Sequence, residues 1–497
     1  MACYLAFSNN WQHFVVNNMI PVDEIAMRPN LSFLSREDKE KIDRATFKIL
    51  NDIGMKIFHD EALELLKNAG CTVEEDRMVK IPGELVHQAI ESAPNNILIF
   101  DRRGTHVMDV GGHRSYFGTG SDLIYSLDSQ TMQRHRCVLE DVARAAKVAD
   151  ALPNIDFIMS FAHPSEFSAE RANLLSFQSM AANSIKPIVC TAASRRELSE
   201  MWEIGRILRN GKNELCSKPY AIYYGEPVSP LKFPIESLDK LLFCAEKFMP
   251  IIYTPAPMAG STAPMTIAGQ VAQGLSECLC GLVIHQQKAK GAPFIMGAGP
   301  AVLDMITGQC CYNAPEFLLA YLAVIEMAHY YDLPNWGYAG TSDSQIPDEQ
   351  AAFEAGLLTF LSAMVGSNLN HDVGYLDFGR TGSLEMIVML NEIIDQARRL
   401  CRGIPVNDDM LAIDIIREVG ANGNFLIHPH TLKHVRSTQW RPELISRMGY
   451  DQWQSAGSTS LLGRAQKKLQ QILEEHQPFP IPEDQAQEIQ KRVDQFI

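Results

Sequence analysis

The sequence predicts an α/β protein, specifically a (β/α)8 TIM barrel with additional N-terminal and C-terminal helical layers. Eight short apolar runs recur between residues 114 and 379, and most end in glycine, alanine or threonine, where a strand turns into a loop. The segments between them repeat apolar residues at three- and four-residue spacing, as helices packed on one face do. Because chemistry in this fold sits at the C-terminal ends of the strands, functional residues are sought there first.

The eight runs alternate with seven segments of helical length. In chain order the runs, called the first to the eighth below, cover residues 114–120, 155–161, 186–192, 219–225, 250–256, 293–299, 333–340 and 367–375. The helical segments cover residues 170–183, 195–211, 235–248, 266–289, 314–331, 349–364 and 383–401.

The chain is longer than a bare barrel of roughly 250 residues. At 497 residues, it is expected to carry an N-terminal helical extension (1–113), a catalytic barrel domain (114–401) and a C-terminal helical extension packed on the barrel (402–497). In the first extension, Ser35 is a candidate N-cap. Its helices are predicted over residues 36–54, 60–69 and 82–92.

Composition excludes some classes of function. The chain has 59 acidic and 44 basic residues and a net charge of −15, which argues against nucleic acid as a partner. We find no stretch of about 20 apolar residues, so no membrane span is expected, and residues 1–18 lack the pattern of a signal peptide. Eleven scattered cysteines indicate reduced thiols in a cytoplasmic protein.

Common cofactor motifs are missing. GAGP at residues 297–300 lacks the third glycine and the lysine that nucleotide loops need. His428, His430 and His434 could suggest zinc, but their spacing supplies neither a further ligand nor an orienting second shell. The sequence therefore predicts no metal site, and it identifies no residue as a catalytic acid or base.

Aromatic and charged residues gather at the predicted strand ends. Phe117 lies in the first run, Tyr223 and Tyr224 with Glu226 close the fourth, Tyr338 lies in the seventh and His371 in the eighth. Aromatic faces attract a quaternary ammonium ion by roughly 0.5 to 2 kcal/mol each. Since strand side chains alternate, Tyr223 and Tyr224 cannot both face the lumen. A charged or titratable group just beyond a buried strand is costly unless it is paired or used, which favours Glu226 and His371.

Longer motifs identify a family. The chain resembles the trimethylamine methyltransferase family over nearly all of its length. The residues that carry the resemblance are YFGTGSD, STAPMTIAGQVAQGLSECLCGLVIHQQKAKGAPFIMG, DMITGQCCYNAPE, LPNWGYAGTSDSQIPDEQ, SNLNHDVGYLDFG, SLEMIVMLNEI and RGIPV. The resemblance implies a barrel enzyme that passes a methyl group from an amine to the cobalt of a separate corrinoid protein.

One departure from the family pattern concerns the substrate. Trimethylamine-specific members carry pyrrolysine in the segment that aligns with LPNWGYAGTSD, and Gly340 stands at that position here. The chain therefore resembles the branch without pyrrolysine, which implies a quaternary amine as substrate, with glycine betaine first and proline betaine, carnitine or butyrobetaine as alternatives. Replacing pyrrolysine with Gly340 is expected to open space in the substrate site.

A quaternary amine substrate predicts the composition of the pocket, although the resemblance does not assign each side chain. We hypothesise from the residues themselves that Phe117, Tyr223, Tyr224 and Tyr338 supply rings around the ammonium and that His371 donates to the substrate carboxylate. Glu226 would add a counter-charge near the ammonium, or would instead anchor a strand-end loop. The chain has no Asp-x-His-x-x-Gly sequence for a lower cobalt ligand, so cobalamin is expected on a partner protein and not bound permanently here. A homo-oligomer is also expected.

Other readings of the sequence stay open. One alternative is a metal-dependent barrel lyase or hydrolase that uses Glu226, His163 and His371, and another is a non-catalytic protein that binds a betaine or a corrinoid partner. The final methyl acceptor, tetrahydrofolate or coenzyme M, is also open.

Overall fold

The computed structural model describes residues 31–496, which form two compact units. One unit comprises residues 31–397 together with 442–496, and the other comprises residues 398–441. The signal-peptide prediction concerns residues 1–18, which lie outside the described residues.

The fold is α/β, and parallel pairings connect the eight runs in chain order. The second run contributes isolated bridges at residues 157 and 158, which join the first run to the third. The sixth and seventh runs meet through a bridge between Met296 and Asn335, and the eighth run pairs with the first. Each of the other seven runs contains a strand. These strands are Tyr116–Phe117, Ile188–Cys190, Ala221–Gly225, Ile251–Tyr253, Phe294–Met296, Trp336–Tyr338 and Leu369–His371.

Helices connect these strands close to the predicted positions. Side chains that begin helices act as caps: Ser194 accepts a hydrogen bond from Glu197 N, and Asp348 from Ala351 N. The helices are Leu139–Ala151, Ala169–Asn183, Arg195–Leu208, Lys212–Ser217, Ile235–Lys247, Ile267–Lys288, Pro315–Tyr330, Glu349–Val365 and Leu384–Cys401.

The helix Ile267–Lys288 corrects one prediction. It has the length and mean hydropathy of a membrane span, although no such stretch was expected from the sequence. In the structure 78% of its most apolar 18-residue window is buried, and it packs against the helices Arg36–Lys48 and Gly83–Ser92. Mean hydropathy this high is also typical of a helix that is buried in a protein core.

The N-terminal segment combines the predicted helices with a small sheet. Its helices are Arg36–Lys48, Asp60–Asn68 and Gly83–Ser92. The N-cap prediction is confirmed, because Ser35 Oγ accepts from Asp38 N at 3.1 Å while the Asp38 carboxylate accepts from Ser35 N. The sheet, which was not predicted, contains the strands Met55–Ile57, Thr72–Val73, Met78–Lys80 and Lys232–Phe233.

An antiparallel hairpin, Asn96–Phe100 with His106–Gly111, supplies the largest set of side chains to the core beneath the eight runs. One face of the runs packs against it, and we call this the inner face. The core cluster contains Ile97, Ile99, Met108, Val110, Phe157, Met159, Val189, Ile222, Ile252, Ile295, Trp336 and Leu369. At one end, the inner face is therefore filled by aliphatic and aromatic side chains.

The remaining elements follow the strand ends and complete the chain. Short strands after the runs are Tyr125–Leu127, Arg134–Arg136, Met258–Ala259, Ala301–Leu303, Cys310–Cys311, Tyr375–Leu376 and Thr381–Gly382. The C-terminal helices are Asp408–Leu411, Ile413–Val419, Pro429–Thr438, Tyr450–Ser455, Leu461–Glu475 and Glu483–Phe496. Ten cysteines lie in the described part of the chain, and all ten are free thiols.

Candidate active site

Five rings meet where the seventh, eighth and fourth runs end. The imidazole of His371 stacks on Trp336 with a centroid distance of 4.3 Å and lies 4.6 Å from the ring of Tyr338. Tyr224 lies 5.8 Å from Trp336 and 6.4 Å from His371. The ring of Tyr312, from the loop before the helix Pro315–Tyr330, lies 6.0 Å from Tyr338. We call Tyr224, Tyr312, Tyr338 and His371 the ring cluster.

Strand alternation decides which predicted rings belong to this cluster. Tyr116 and Tyr224 pack against the core of the inner face, so their neighbours Phe117 and Tyr223 lie on the opposite face. Tyr223 lies against the helix Ile235–Lys247, where the Lys240 ammonium is 5.9 Å from its ring centroid. Phe117 is fully buried. The rings of Phe117 and Tyr223 therefore face away from the ring cluster, whereas those of Tyr224 and Tyr338 belong to it, and the substrate-binding roles of Tyr224 and Tyr338 stay predictions.

Three carboxyl groups surround the ring cluster. Burial is the largest cause of the raised pKa of the Tyr224 phenol, and Glu226, Asp372 and Asp122 lie close enough that each of them, when ionised, raises that pKa further. Burial and the neighbouring Asp122 likewise raise the pKa of Glu226, and Lys240 opposes this shift. Carboxylates beside aromatic faces favour a positively charged ligand.

Water reaches this group even though protein surrounds it. Glu226 and Asp122 are exposed, and Tyr224 and Tyr312 are half-buried, whereas His371 and Tyr338 are buried. Burial is nevertheless the largest cause of the raised pKa of Glu226, so protein atoms as well as solvent lie around its carboxyl group. We call the region between these exposed carboxyl groups and the buried rings the opening.

His371 and Asp372 form a buried, polar pair at the bottom of this opening. His371 Nδ1 lies 2.7 Å from the carbonyl oxygen of Gly337, so Nδ1 carries a proton and donates it. Nε2 lies 3.4 Å from Asp372 Oδ1. Burial lowers the pKa of His371 to about 3 and raises that of Asp372 well above its usual range. One proton shared between Nε2 and Oδ1 leaves the pair neutral. Both ring nitrogens of His371 therefore already have a partner, Gly337 or Asp372, and a substrate carboxylate would have to compete with these partners for a hydrogen bond from His371.

Two hydroxyl groups of the ring cluster lack an internal partner. Within residues 31–496, no hydrogen bond involves the phenolic oxygens of Tyr312 or Tyr338, and neither oxygen is among the fully enclosed polar atoms that lack a partner. By contrast, the hydroxyl of Tyr321, a neighbour of Tyr338, donates to Ser362 Oγ at 3.0 Å. The two phenols can therefore donate to water or to a ligand with an acceptor oxygen.

Gly340 does not open space towards the ring cluster. Its φ is +64°, and a Cβ atom there would lie 3.0 Å from Val373 Cα and 2.9 Å from Leu390 Cδ1. The position therefore points into packing against the helix Leu384–Cys401. The expectation that glycine enlarges the substrate site is wrong in this respect, because neighbouring residues fill the volume.

Surface depressions elsewhere are not part of this opening. One of about 270 Å³ is lined by Phe58, Val228 and Ile235, and one of about 360 Å³ is lined by Arg103, Phe479 and other residues. Neither is lined by the ring cluster. The rings of Trp336 and Tyr338 both pack closely against that of His371, so no ligand fits between them, and Tyr224 and Tyr312 are the members of the ring cluster that remain half-exposed.

His428, His430 and His434, the histidines that could suggest zinc, do not converge on one point. His428 accepts a hydrogen bond from His430 N and caps the helix Pro429–Thr438. His430 and His434 instead lie close to Asp409. Together these three residues are the one group of possible metal ligands found among the described residues. Lys433 already places its ammonium 2.8 Å from the Asp409 carboxylate. Glu226, His163 and His371 form no comparable group, so the metal-dependent alternative gains no support.

Sequence reasoning missed three residues of the site. Tyr312 follows the pair of cysteines in the DMITGQCCYNAPE motif, and Asp372 directly follows His371. Asp122 lies 3.8 Å from His163 Nδ1, and this contact is the largest cause of a raised His163 pKa. The available signal for Asp372 is that a titratable residue directly after a buried strand is costly unless it is paired or used, which is also the signal that favours Glu226 and His371.

Comparisons with known proteins identify the family of the chain. The sequence matches the family model of trimethylamine methyltransferase over residues 13–496. It is 29% identical to a trimethylamine methyltransferase of Desulfitobacterium hafniense, with 94% of each chain covered. It is 30% identical to a glycine betaine methyltransferase of the same species, covering 90% of this chain and 94% of that one. The crystal structure of the Methanosarcina barkeri monomethylamine methyltransferase aligns with a TM-score of 0.50 at 13% identity, covering 95% of this chain and 90% of that one, which supports the α/β fold alone.

Proposed function

Because the chain belongs to the trimethylamine methyltransferase family and is a methyltransferase, we propose that it moves a methyl group from a quaternary amine to cob(I)alamin on a separate corrinoid protein. Glycine betaine is the first candidate substrate, and proline betaine, carnitine and butyrobetaine are the alternatives. The observation that carries the proposal is the convergence of Tyr224, Tyr312 and Tyr338 with the carboxyl groups of Glu226 and Asp122.

The opening suits a zwitterion held in one orientation. The ammonium group would lie against Tyr224 beside Glu226 and Asp122, which are the exposed members of the site. The substrate carboxylate would accept hydrogen bonds from Tyr312 and Tyr338, whose hydroxyls have no partner in the described part of the chain. In this orientation the methyl groups face the exit of the opening, where a partner can reach them.

We further propose that the cyclic series of parallel pairings closes into an eightfold barrel, with residues 114–401 as the catalytic domain. The extensions 1–113 and 402–497 would flank it. The pairing of the eighth run with the first supports closure, since an open sheet would leave both of these strands at an edge.

In the proposed reaction, this chain has to bind the substrate and orient its methyl group. A quaternary nitrogen already carries a positive charge and leaves as a neutral tertiary amine, so no acid has to protonate the leaving group. This agrees with a site whose His371–Asp372 pair is neutral and whose Nδ1 proton is held by Gly337. Reduced cobalt on the partner would supply the nucleophile. Rings of the cluster would hold the methyl carbon in line and exclude water.

The corrinoid partner needs a surface beside the opening. The hairpin of strands Ala301–Leu303 and Cys310–Cys311 leads directly into Tyr312. At its tip Ile306 is 95% exposed, and Met305 lies beside Met265 on a neighbouring loop. We propose that this apolar tip contacts the corrinoid protein. We also propose a cytoplasmic location, in agreement with the free thiols.

A spectroscopic assay tests the function. Reduced corrinoid protein, this chain and a panel of quaternary and tertiary amines are mixed, and the conversion of cob(I)alamin to its methylated form is followed. Activity with quaternary amines alone supports the proposal, whereas activity with trimethylamine alone contradicts it. Binding without turnover would favour the non-catalytic alternative, and stoichiometric zinc or iron required for activity would favour the lyase or hydrolase.

Replacing His371 with alanine is expected to weaken glycine betaine binding at least tenfold. The substitution removes the ring that stacks on Trp336 and leaves the Gly337 carbonyl and Asp372 without their partner. Isothermal titration of glycine betaine measures the effect, with the circular dichroism spectrum as a control for folding. Unchanged affinity in a folded variant would remove His371 from the site.

Betaine affinity is expected to fall on acidification because of Glu226. Its pKa is raised, so the carboxylate becomes neutral at a higher pH than an ordinary glutamate does, and its attraction for the ammonium is lost as the pH falls through that value. The loss should be about two- to fivefold, as for a partly exposed ion pair. In Glu226→Gln the affinity should already be lowered, and it should no longer respond over the same pH range. A parallel pH response in both proteins would contradict the assignment.

Ile306→Asp is expected to weaken docking of the corrinoid protein about tenfold, since burial of an exposed aliphatic side chain at an interface centre commonly contributes more than 1 kcal/mol. Surface plasmon resonance with the purified partner measures it. Betaine affinity should stay unchanged, because Ile306 lies outside the ring cluster. The conservative variant Ile306→Val should dock almost normally, and equal affinity of all three proteins would place the docking surface elsewhere.

A further inference from the structure

The surface depression of about 360 Å³ lies at the end of the strands opposite the ring cluster. It is lined by residues from three segments of the chain, 102–104, 208–218 and 479–485. Phe100 N donates to the carbonyl oxygen of Pro219, where the fourth run begins, whereas the ring cluster lies where that run ends. The depression is therefore separate from the proposed methyl-transfer site.

Basic side chains dominate the lining, and we call this site the basic depression. The basic residues that line it are Arg102, Arg103, Arg209 and Lys218. Glu214 is the one acidic residue in the described lining, and Asp101 lies close behind, with its carboxylate 3.6 Å from Arg103 Nε. Four positive and two negative charges leave +2 at this point of a chain whose net charge is −15. Positive charge collected in a concave site attracts anions.

Arg209 has fewer partners than a buried guanidinium needs. The residue is 6% exposed, and its side chain offers five N–H donors. Within residues 31–496 its hydrogen bonding is limited to one long contact, 3.4 Å from Nη1 to the carbonyl oxygen of Arg102. Nη2 lies 3.9 Å from Glu214 Oε2, and Nε has no partner among the described residues. Because a buried charge is costly unless acceptors pair with it, an anion that enters the depression would supply what the chain does not.

The surrounding backbone keeps the depression in shape. Gly104 has a φ of +91°, and a Cβ atom there would lie 2.5 Å from Nη1 and 2.8 Å from Nη2 of Arg209. The missing side chain therefore lets the guanidinium lie against the hairpin turn. Arg102 holds the other wall, because its two Nη atoms donate to the carbonyl oxygens of Ala181 and Phe479.

The rest of the lining indicates an anion that carries an organic group. Phe479 and Ile481 line the same depression, and the guanidinium of Arg103 lies 5.3 Å from the ring centroid of Phe479. Arginine pairs with phosphate through two parallel hydrogen bonds. A phosphate monoester carries about −1.5 to −2 charges at pH 7, which matches the local charge better than a single carboxylate does.

We propose that the basic depression binds a small phosphate monoester. Its phosphate would lie between Arg103, Arg209 and Lys218, and its organic group would lie against Phe479. The site is independent of the proposed methyl transfer and can be tested by binding alone.

Isothermal titration of the full chain with phenyl phosphate tests the proposal. Phenyl phosphate is expected to bind about tenfold more tightly than benzoate, which has a single negative charge, and more tightly than inorganic phosphate, which has no ring. Raising the salt concentration about tenfold should weaken binding, because two of the three cations are partly exposed. Equal affinity for benzoate or for inorganic phosphate would overturn the assignment to a monoester.

A double variant, Arg103→Gln with Lys218→Gln, is expected to raise the Kd of phenyl phosphate about tenfold or more. Their side chains are 49% and 43% exposed, so the variant should keep its circular dichroism spectrum. The matched control is Arg36→Gln with Lys41→Gln, which removes the same two charges from an exposed helix face outside the depression. The control should bind as the wild-type protein does, and equal affinity of the double variant and the control would overturn the proposal.

Arg209→Met distinguishes a binding role from a structural one. An apolar side chain in place of a poorly paired buried charge should leave the thermal midpoint unchanged or raise it, while phenyl phosphate affinity falls about tenfold. Wild-type affinity in the folded variant would contradict the role of Arg209. Should this variant fail to fold, the double variant decides, and a wild-type protein that does not bind phenyl phosphate overturns the proposal by itself.

Discussion

Tyr224→Ala is expected to lower kcat/KM for methyl transfer from glycine betaine on the order of 100-fold. Losing one aromatic face removes about 0.5 to 2 kcal/mol of attraction for the ammonium, or roughly a two- to thirtyfold rise in Kd. The ring also borders Trp336 and His371, so its removal leaves the ammonium loosely placed above them. Misplacement of the reacting methyl group accounts for the remaining loss.

Two control variants distinguish the effect of losing the Tyr224 ring from the effect of losing its hydroxyl and from a general disturbance of the fold. Tyr224→Phe keeps the aromatic face and should retain activity within about threefold. Tyr223→Phe changes the neighbouring residue, whose ring faces Lys240 on the opposite side of the strand, and should leave betaine affinity unchanged. If Tyr223→Phe impaired binding as strongly as Tyr224→Ala, the assignment of faces would be wrong. Stopped-flow measurement of corrinoid methylation and calorimetry of betaine binding report the two parts of the effect.

Glu392→Ala is expected to destabilise the larger unit by about 3–5 kcal/mol. Glu392 lies on the helix Leu384–Cys401 and is buried. Its carboxylate accepts hydrogen bonds from the backbone N–H groups of Glu443, Leu444 and Ile445 at 2.7, 2.5 and 2.5 Å. Alanine would leave all three donors without a partner at the point where the chain returns to this unit. Equilibrium unfolding in urea, monitored by tryptophan fluorescence, measures the difference.

The neighbouring glutamate provides the matched control. Glu443→Ala removes a side chain whose carboxylate pairs with Lys468 at the surface, and it should cost less than about 1 kcal/mol. Glu392→Gln keeps one acceptor oxygen and should fall between the two. Equal stability of Glu392→Ala and the wild-type protein would show that water or backbone rearrangement replaces the carboxylate.

The order of elements could be predicted from the sequence because its signals are local. Apolar runs bounded by proline and glycine marked seven strands and the second run, and Ser35 marked a helix start that the structure confirms. The small sheet around Met55–Ile57 was missed because its strands are two or three residues long. Periodicity cannot be read in so short a segment.

Side-chain direction was harder to predict than strand position. The alternation of side chains along a strand predicts that Tyr223 and Tyr224 face opposite ways. Which of the two faces inward depends on which residues pack on the hairpin that contains Asn96–Phe100, a contact distant in sequence. The same long-range packing places Leu390 and Val373 against Gly340. Tyr312 was missed because it enters the site from a loop rather than from a strand end.

The hairpin Asn96–Phe100 with His106–Gly111 has a kinetic consequence. Ile97, Ile99, Met108 and Val110 fill one end of the proposed barrel, so among the described residues the opening at the other end is the expected route to the ring cluster. A docked corrinoid protein would cover that opening, so the amine must enter first and the demethylated product can depart only after the partner has gone. Initial-rate measurements should therefore show that the amine binds before the corrinoid protein. An excess of the corrinoid protein should trap the product and slow turnover.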